Sequence, residues 1–168
     1  MEKAIKKCVY AGSFDPITNG HLWMIEQGSN LFDKLVVAIG INTSKQYTFF
    51  LQERLEMIRE TTKQFDNVEI DSFENEFLVN YTARINAKYI LRGIRSVKDY
   101  EMEKDMRHMN RDSHPEIETI FLFPPRELAE VSSSSVKSLI GFKTWEDRIK
   151  KYVPLPVYLK FLEKYKGK

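Results

Sequence analysis

The chain is poor in the residues that would mark several protein classes. It has one cysteine in 168 residues, so no intramolecular disulfide can form. Cys8 lies in an apolar run and reads as a small core residue rather than a reactive thiol. No apolar stretch approaches the roughly 20 residues needed to span a bilayer, which excludes a membrane helix. The opening MEKAIKK lacks the apolar segment of a signal peptide, so a cytoplasmic protein is expected. Glycine and proline number only 7 and 6, too few for a low-complexity or collagen-like chain. No cysteine–histidine set has metal-ligand spacing, and no GxxxxGK[ST], GxGxxG or GxSxG motif occurs.

Charge of one sign is also scarce. The formal net charge is +2, too low to argue for a nucleic-acid partner. It is unevenly spread. Residues 148–168 carry seven lysines and arginines against the single acid Glu163, leaving the remainder net negative. A basic tail can bind acidic partners, but it reads here as a solvated face of a terminal helix.

What remains is an alternation. Short apolar runs at Lys7–Ala11, Leu35–Ile41, Val68–Phe73, Tyr89–Gly93 and Thr119–Phe123 read as strands buried on both faces. Helical patterns separate them, at Leu22–Phe32, Phe50–Phe65, Phe77–Ala87, Lys98–Asn110 and Ser134–Phe142. Thr48 is a possible cap for the second. A last helix is expected over Val157–Tyr165, after the Pro154-Leu155-Pro156 break. Strands alternating with helices imply a parallel α/β sheet with right-handed crossovers. No linker or repeat divides the chain, so residues 1–168 read as one domain, with a C-terminal helical segment from about residue 143.

In such sheets ligands bind beyond the carboxyl ends of the strands. The polar features gather there. After the first strand comes GSFDPITNGH, ten residues of turn formers ending on His21 at a helix start. Free N–H groups at that helix start suit a phosphate. A plain turn capped by His21 fits the spacing equally well. After the second strand stands Lys45, a phosphate partner or a solvated lysine. After the fourth, Arg92 and Arg95 flank Gly93 as a potential phosphate clamp. His108, on the charged helix beyond, reads as a surface histidine. After the fifth, Ser132–Ser135 are either a helix cap or a nest of hydroxyls around a triphosphate.

Three blocks together resemble a known family. GSFDPITNGH resembles the (T/H)xGH loop of the nucleotidyltransferase superfamily, and VSSSSVK its ISSSxx(R/K) signature. ILRGIRSVKDYEMEKDMRHMNR is similar to the middle block of the phosphopantetheine adenylyltransferase family. The resemblance runs over about residues 6 to 140. It implies a Rossmann-like, doubly wound, five-stranded parallel sheet with helices on both faces, assembled as a homohexamer. It implies Mg2+-dependent transfer of AMP from ATP to 4′-phosphopantetheine, giving dephospho-coenzyme A and pyrophosphate, with coenzyme A as a possible inhibitor.

It also implies roles. His21 would contact the triphosphate and stabilise the transition state, together with Lys45 and Arg95. Ser13 and Phe14 would touch ATP, Ser13 also lying near the acceptor phosphate. Lys45 and Arg92 would hold that phosphate, and Leu78 would line the pantetheine channel. Gly93, Ile94, Arg95 and Glu103 would bind the nucleotide. Leu128, Ala129, Glu130, Val131, Ser132, Ser133 and Ser134 would close over it. Ser13 stands where the family has Thr, Met102 where it has Tyr, and Leu128 and Glu130 where an aromatic pair is common. The rival readings are a relative acting on a nicotinamide mononucleotide or a phosphorylated alcohol, and a non-catalytic nucleotide or coenzyme A sensor.

The chemistry fits such a set. A phosphate-oxygen nucleophile is already ionised, so no general base is needed. Catalysis reduces to alignment and charge stabilisation by Lys, Arg, His and backbone N–H groups.

Overall fold

The first strand becomes the centre of the sheet. β1 (Lys7–Gly12) buries Cys8 to Ala11 and pairs in parallel with β2 (Lys34–Ile41) on one side and β4 (Tyr89–Gly93) on the other. β3 (Val68–Glu74) and β5 (Glu118–Leu122) complete a five-stranded parallel sheet in the order β3-β2-β1-β4-β5. The computed structural model describes residues 4–165. Of the basic tail, Lys166 and Lys168 lie outside them.

Side chains alternate between the two faces, as the period of a strand requires. Cys8, Tyr10, Leu35, Val37, Ile39 and Leu91 join one core, closed by α1 (Asn19–Leu31), α2 (Leu51–Thr62) and α8 (Leu155–Tyr165). Val9, Ala11, Val36 and Ala38 face the other way, onto Tyr81 of α3 (Leu78–Arg84). The fold is thus a doubly wound, Rossmann-like α/β domain. α8 seats Val157 and Phe161 in the first core, and the Phe161 ring meets Phe49 at 5.2 Å, edge to face.

Three expectations need correction. The outer strands are not buried on both faces: β3 alternates half-buried with exposed positions, and every residue of β5 is half-buried. They are sheet edges, covered less completely. Thr48 does not cap α2. Its N–H donates to Asp15 instead, and Phe50 occupies the N-cap, its own N–H donating to Glu53 at 2.7 Å. The helix expected over Ser134–Phe142 is only α6 (Ser133–Lys137). The short α5 (Arg126–Ala129) had no sequence signal, and α7 (Trp145–Ile149) lies in the helical segment expected from about residue 143.

α1 packs closely on the sheet. A Cβ on Gly28 would sit 2.9 Å from a methyl of Leu35 and of Leu91. Gly28→Ala gains helix propensity, up to about 1 kcal/mol. It also overpacks a full core, which costs about 1–3 kcal/mol. We expect a net loss of about 1 kcal/mol, read as a lower denaturation midpoint.

Candidate active site

The strand order reverses between β1 and β4, and a cleft opens at their carboxyl ends, as the rule for open α/β sheets requires. Its volume is about 240 Å3. Tyr10 to Gly12 form one wall, Arg92, Gly93 and Arg95 the other, with His21, Leu128 and Val131 at the rim. A second cleft of about 290 Å3 adjoins it, lined by Leu78, Phe77, Met106 and Asn110. The two share Arg92, Met102 and Glu103.

His21 owes its orientation to local structure. α1 starts at Asn19, not after His21, because Thr18 is the N-cap. His21 is therefore the third helical residue, and its ring folds back to the cap. Nδ1 accepts the Thr18 N–H at 3.0 Å, and the Thr18 hydroxyl accepts the His21 N–H at 3.4 Å. An Nδ1 that accepts leaves the single proton of a neutral imidazole on Nε2. The Phe14 ring holds the imidazole edge-on at 5.1 Å. Burial, and to a lesser degree the charge of Arg95, pull the His21 pKa from 6.5 to about 4. The imidazole is neutral at pH 7, an uncharged N–H donor.

That value has a sign. The unfolded chain takes up a proton near 6.5 and the folded chain only near 4, so this group removes stability as pH falls across that window. A 15N-resolved titration should give a His21 midpoint near 4, with Nε2 protonated and Nδ1 bare at pH 7. A midpoint near 6.5 would contradict this environment.

Arg92, at the end of β4, is held by a fork. Nε donates to Glu103 Oε2 at 2.9 Å and Nη2 to Oε1, while Nη1 reaches the Ala11 carbonyl at 3.1 Å. Glu103 is the only residue of α4 (Val97–Ser113) that is buried. Burial opposes the charge on Arg92, and the Glu103 carboxylate more than offsets it, so its pKa rises. Arg95 is half-exposed and pairs with Asp99 at 3.0 Å.

The other expected residues are placed as follows. Ile94 is buried, its N–H bonded to the Leu122 carbonyl. Phe14 is buried too, with a φ of 44°. Ser13 and Lys45 are exposed and line neither cleft. Ser132 caps α6 by a reciprocal pair with Ser135, and Ser133 Oγ donates to the Pro16 carbonyl at 2.7 Å. The Ser134 carbonyl accepts within the helix. Ala129 ends α5. Glu130 lines not the strand-end cleft but a larger cavity of about 720 Å3, which shares only Val131 with it. Arg126 is the one basic residue in the lining of that cavity, so size is a poor guide to the chemistry here.

Among the described residues, no group of three or more His, Cys, Asp or Glu side chains converges as a metal site does. The donor set is cationic. A metal ion held by the chain does not fit it, whereas one arriving on a polyphosphate does.

Comparison with known proteins decides the family. A cytidylyltransferase-like family model matches residues 9–139. A phosphopantetheine adenylyltransferase of Chromobacterium violaceum is 55% identical over 96% of this chain and 98% of its own. The chain belongs to the phosphopantetheine adenylyltransferase family. A member of that family from Neisseria meningitidis is 54% identical over 95% of this chain and 94% of its own. The fold is similar to that of Plasmodium falciparum nicotinic acid mononucleotide adenylyltransferase complexed with NaAD. That likeness has a TM-score of 0.67 at 19% identity, over 96% of both chains.

Sequence reasoning missed three residues at the site of this family member. Asp15, Arg54 and Lys137 are all bonded to the strand-end loops. An acid between Phe14 and Pro16, in a loop meant for phosphate, was the available signal.

Proposed function

We propose that this chain transfers AMP from ATP to 4′-phosphopantetheine, releasing pyrophosphate and forming dephospho-coenzyme A. The carrying observation is the pair of clefts that share Arg92: one is rimmed by His21 and Arg95, the other runs along Leu78. A nucleotide in the first and a pantetheine arm in the second would bring the acceptor phosphate to the shared guanidinium.

In the reaction, an ionised oxygen of that phosphate attacks the α-phosphorus of ATP. The new P–O bond forms as the bond to pyrophosphate breaks, and no proton need move. Arg92 and Lys45 hold the acceptor phosphate. The His21 Nε2–H and Arg95 meet the charge growing on the transferred and departing phosphates. Gly93, Ile94 and Glu103 bound the nucleotide, and the segment Leu128–Ser134 closes over it, with Ser13 and Phe14 at its first loop. Mg2+ enters as part of the ATP substrate.

Coenzyme A carries the same arm and would inhibit from the same clefts. Self-association as a homohexamer is supported by apolar side chains that α4 leaves exposed outside the clefts, Val97 and Met109. None of the described helices is long and apolar enough to cross a membrane, which is compatible with a cytoplasmic enzyme.

The test is pyrophosphate release from MgATP with an acceptor panel. Release that needs 4′-phosphopantetheine supports the reading. Release with nicotinamide mononucleotide instead would replace it, and ATP binding without release on any acceptor would favour a sensor.

A further inference from the structure

Three strand-end segments meet on one carboxylate. Asp15 is 3% exposed. Its Oδ1 accepts the Phe49 N–H and its Oδ2 the Thr48 N–H, each at 2.9 Å. Oδ2 also takes the Lys137 ammonium at 2.8 Å. These partners lie 33, 34 and 122 residues away. Thr48 and Phe49 end the segment that carries Lys45. Lys137 ends α6, the helix of the serine run. Two further bonds brace the same loop: Ser133 Oγ to the Pro16 carbonyl and Arg54 Nη1 to the Ser13 carbonyl, both 2.7 Å. Arg54 is itself 2% exposed and lies 4.0 Å over the Tyr47 ring.

We propose that Asp15 is a positioning residue: it sets the Lys45 segment and α6 at a fixed distance across the first loop, and so aligns acceptor with triphosphate. This rests on the function proposed above. Asp15 itself touches no reactant, since both its oxygens are buried and committed. Only a carboxylate serves. Three donors point at two oxygens, and an asparagine would turn its own N–H groups against one set of them. Lys137, at the K/R position of the second signature, is thereby occupied with Asp15. A misplacement of about 1 Å at a distance from the chemistry is enough to cost about 10²-fold in rate.

Three variants test this, each assayed for KM, kcat and thermal midpoint. Asp15→Asn should raise the KM for 4′-phosphopantetheine about tenfold and lower kcat by about 10²-fold, with a smaller change in the KM for ATP. Lys137→Met keeps both backbone bonds to the Lys45 segment but frees α6, so it should lower the midpoint and kcat while leaving the acceptor KM within about twofold. The double variant removes the ion pair as a unit and should recover much of the midpoint while keeping the raised acceptor KM. Activity that returns with the midpoint in the double variant would make Asp15 merely structural and overturn the proposal. If Asp15→Asn does not fold, Thr48→Pro removes one donor and spares the ion pair; an unchanged acceptor KM there overturns it equally. If the unmodified protein transfers nothing to phosphopantetheine, the function reading falls by itself. Amide exchange over residues 42–50 then decides: Asp15→Asn must accelerate it about tenfold or more, and unchanged exchange overturns the positioning role.

Discussion

Replacing His21 by alanine lowers turnover by about 10²- to 10³-fold and leaves the protein folded. The loss follows from what the ring supplies. Its Nε2–H is a donor fixed in place by the Thr18 N–H on Nδ1 and by the Phe14 ring. Such a donor needs no reorganisation as charge grows on the phosphates. The KM for ATP should change little, because a bond that strengthens only in the transition state appears in kcat. The fold survives because the Thr18 hydroxyl still caps α1 through the backbone of residue 21. Losing the ring removes one reciprocal cap contact, worth about 1 kcal/mol. Steady-state pyrophosphate release beside a thermal melt checks both halves. Turnover within a factor of about three of the unmodified protein would remove His21 from the mechanism.

Arg92→Ala has the second large effect, and it is double. Glu103 is left as a buried carboxylate without its guanidinium, which costs about 3–5 kcal/mol of stability. The acceptor phosphate loses the guanidinium charge and the N–H donors that Glu103 and Ala11 leave free, so its KM should rise about 10²-fold or more. Removing Glu103 as well separates the effects. Arg92→Ala with Glu103→Ala no longer buries an unpaired charge, so denaturant midpoints should recover while the acceptor KM stays high. A recovery of both would mean that Arg92 acts only through the fold. Retention of normal acceptor affinity in the single variant would remove it from the phosphate site.

The sheet was readable because its inner strands are continuous apolar runs. β1, β2 and β4 fall within one residue of their expected bounds. β3 and β5 were located too, but their half-burial follows from edge positions that no local pattern encodes. Helix starts were less legible. Thr18 caps α1 four residues before the apolar periodicity begins at Leu22, so His21 lies inside the helix rather than ahead of it. α5 and α7 span only four and five residues, too short to show a period.

At the site, the cationic residues were visible as types at strand ends, and the family blocks named them. Their partners were not visible. That Glu103 grips Arg92, that Ser133 braces Pro16 and that Asp15 gathers Thr48, Phe49 and Lys137 are long-range facts of the folded chain. The serine run shows the limit well. Seen alone its spacing favoured a cap without excluding a phosphate nest, and the Ser132–Ser135 pair is a cap in the folded chain.

The central claim is direct passage of AMP from ATP to the acceptor phosphate, with side chains supplying only alignment and charge. A single-turnover mixture of protein, MgATP and 4′-phosphopantetheine, resolved by mass, tests it most directly. The account predicts dephospho-coenzyme A and pyrophosphate in equal amounts, no adenylylated protein at any time, and no pyrophosphate when the acceptor is left out. Pyrophosphate released without acceptor, together with AMP carried on the protein, would contradict it.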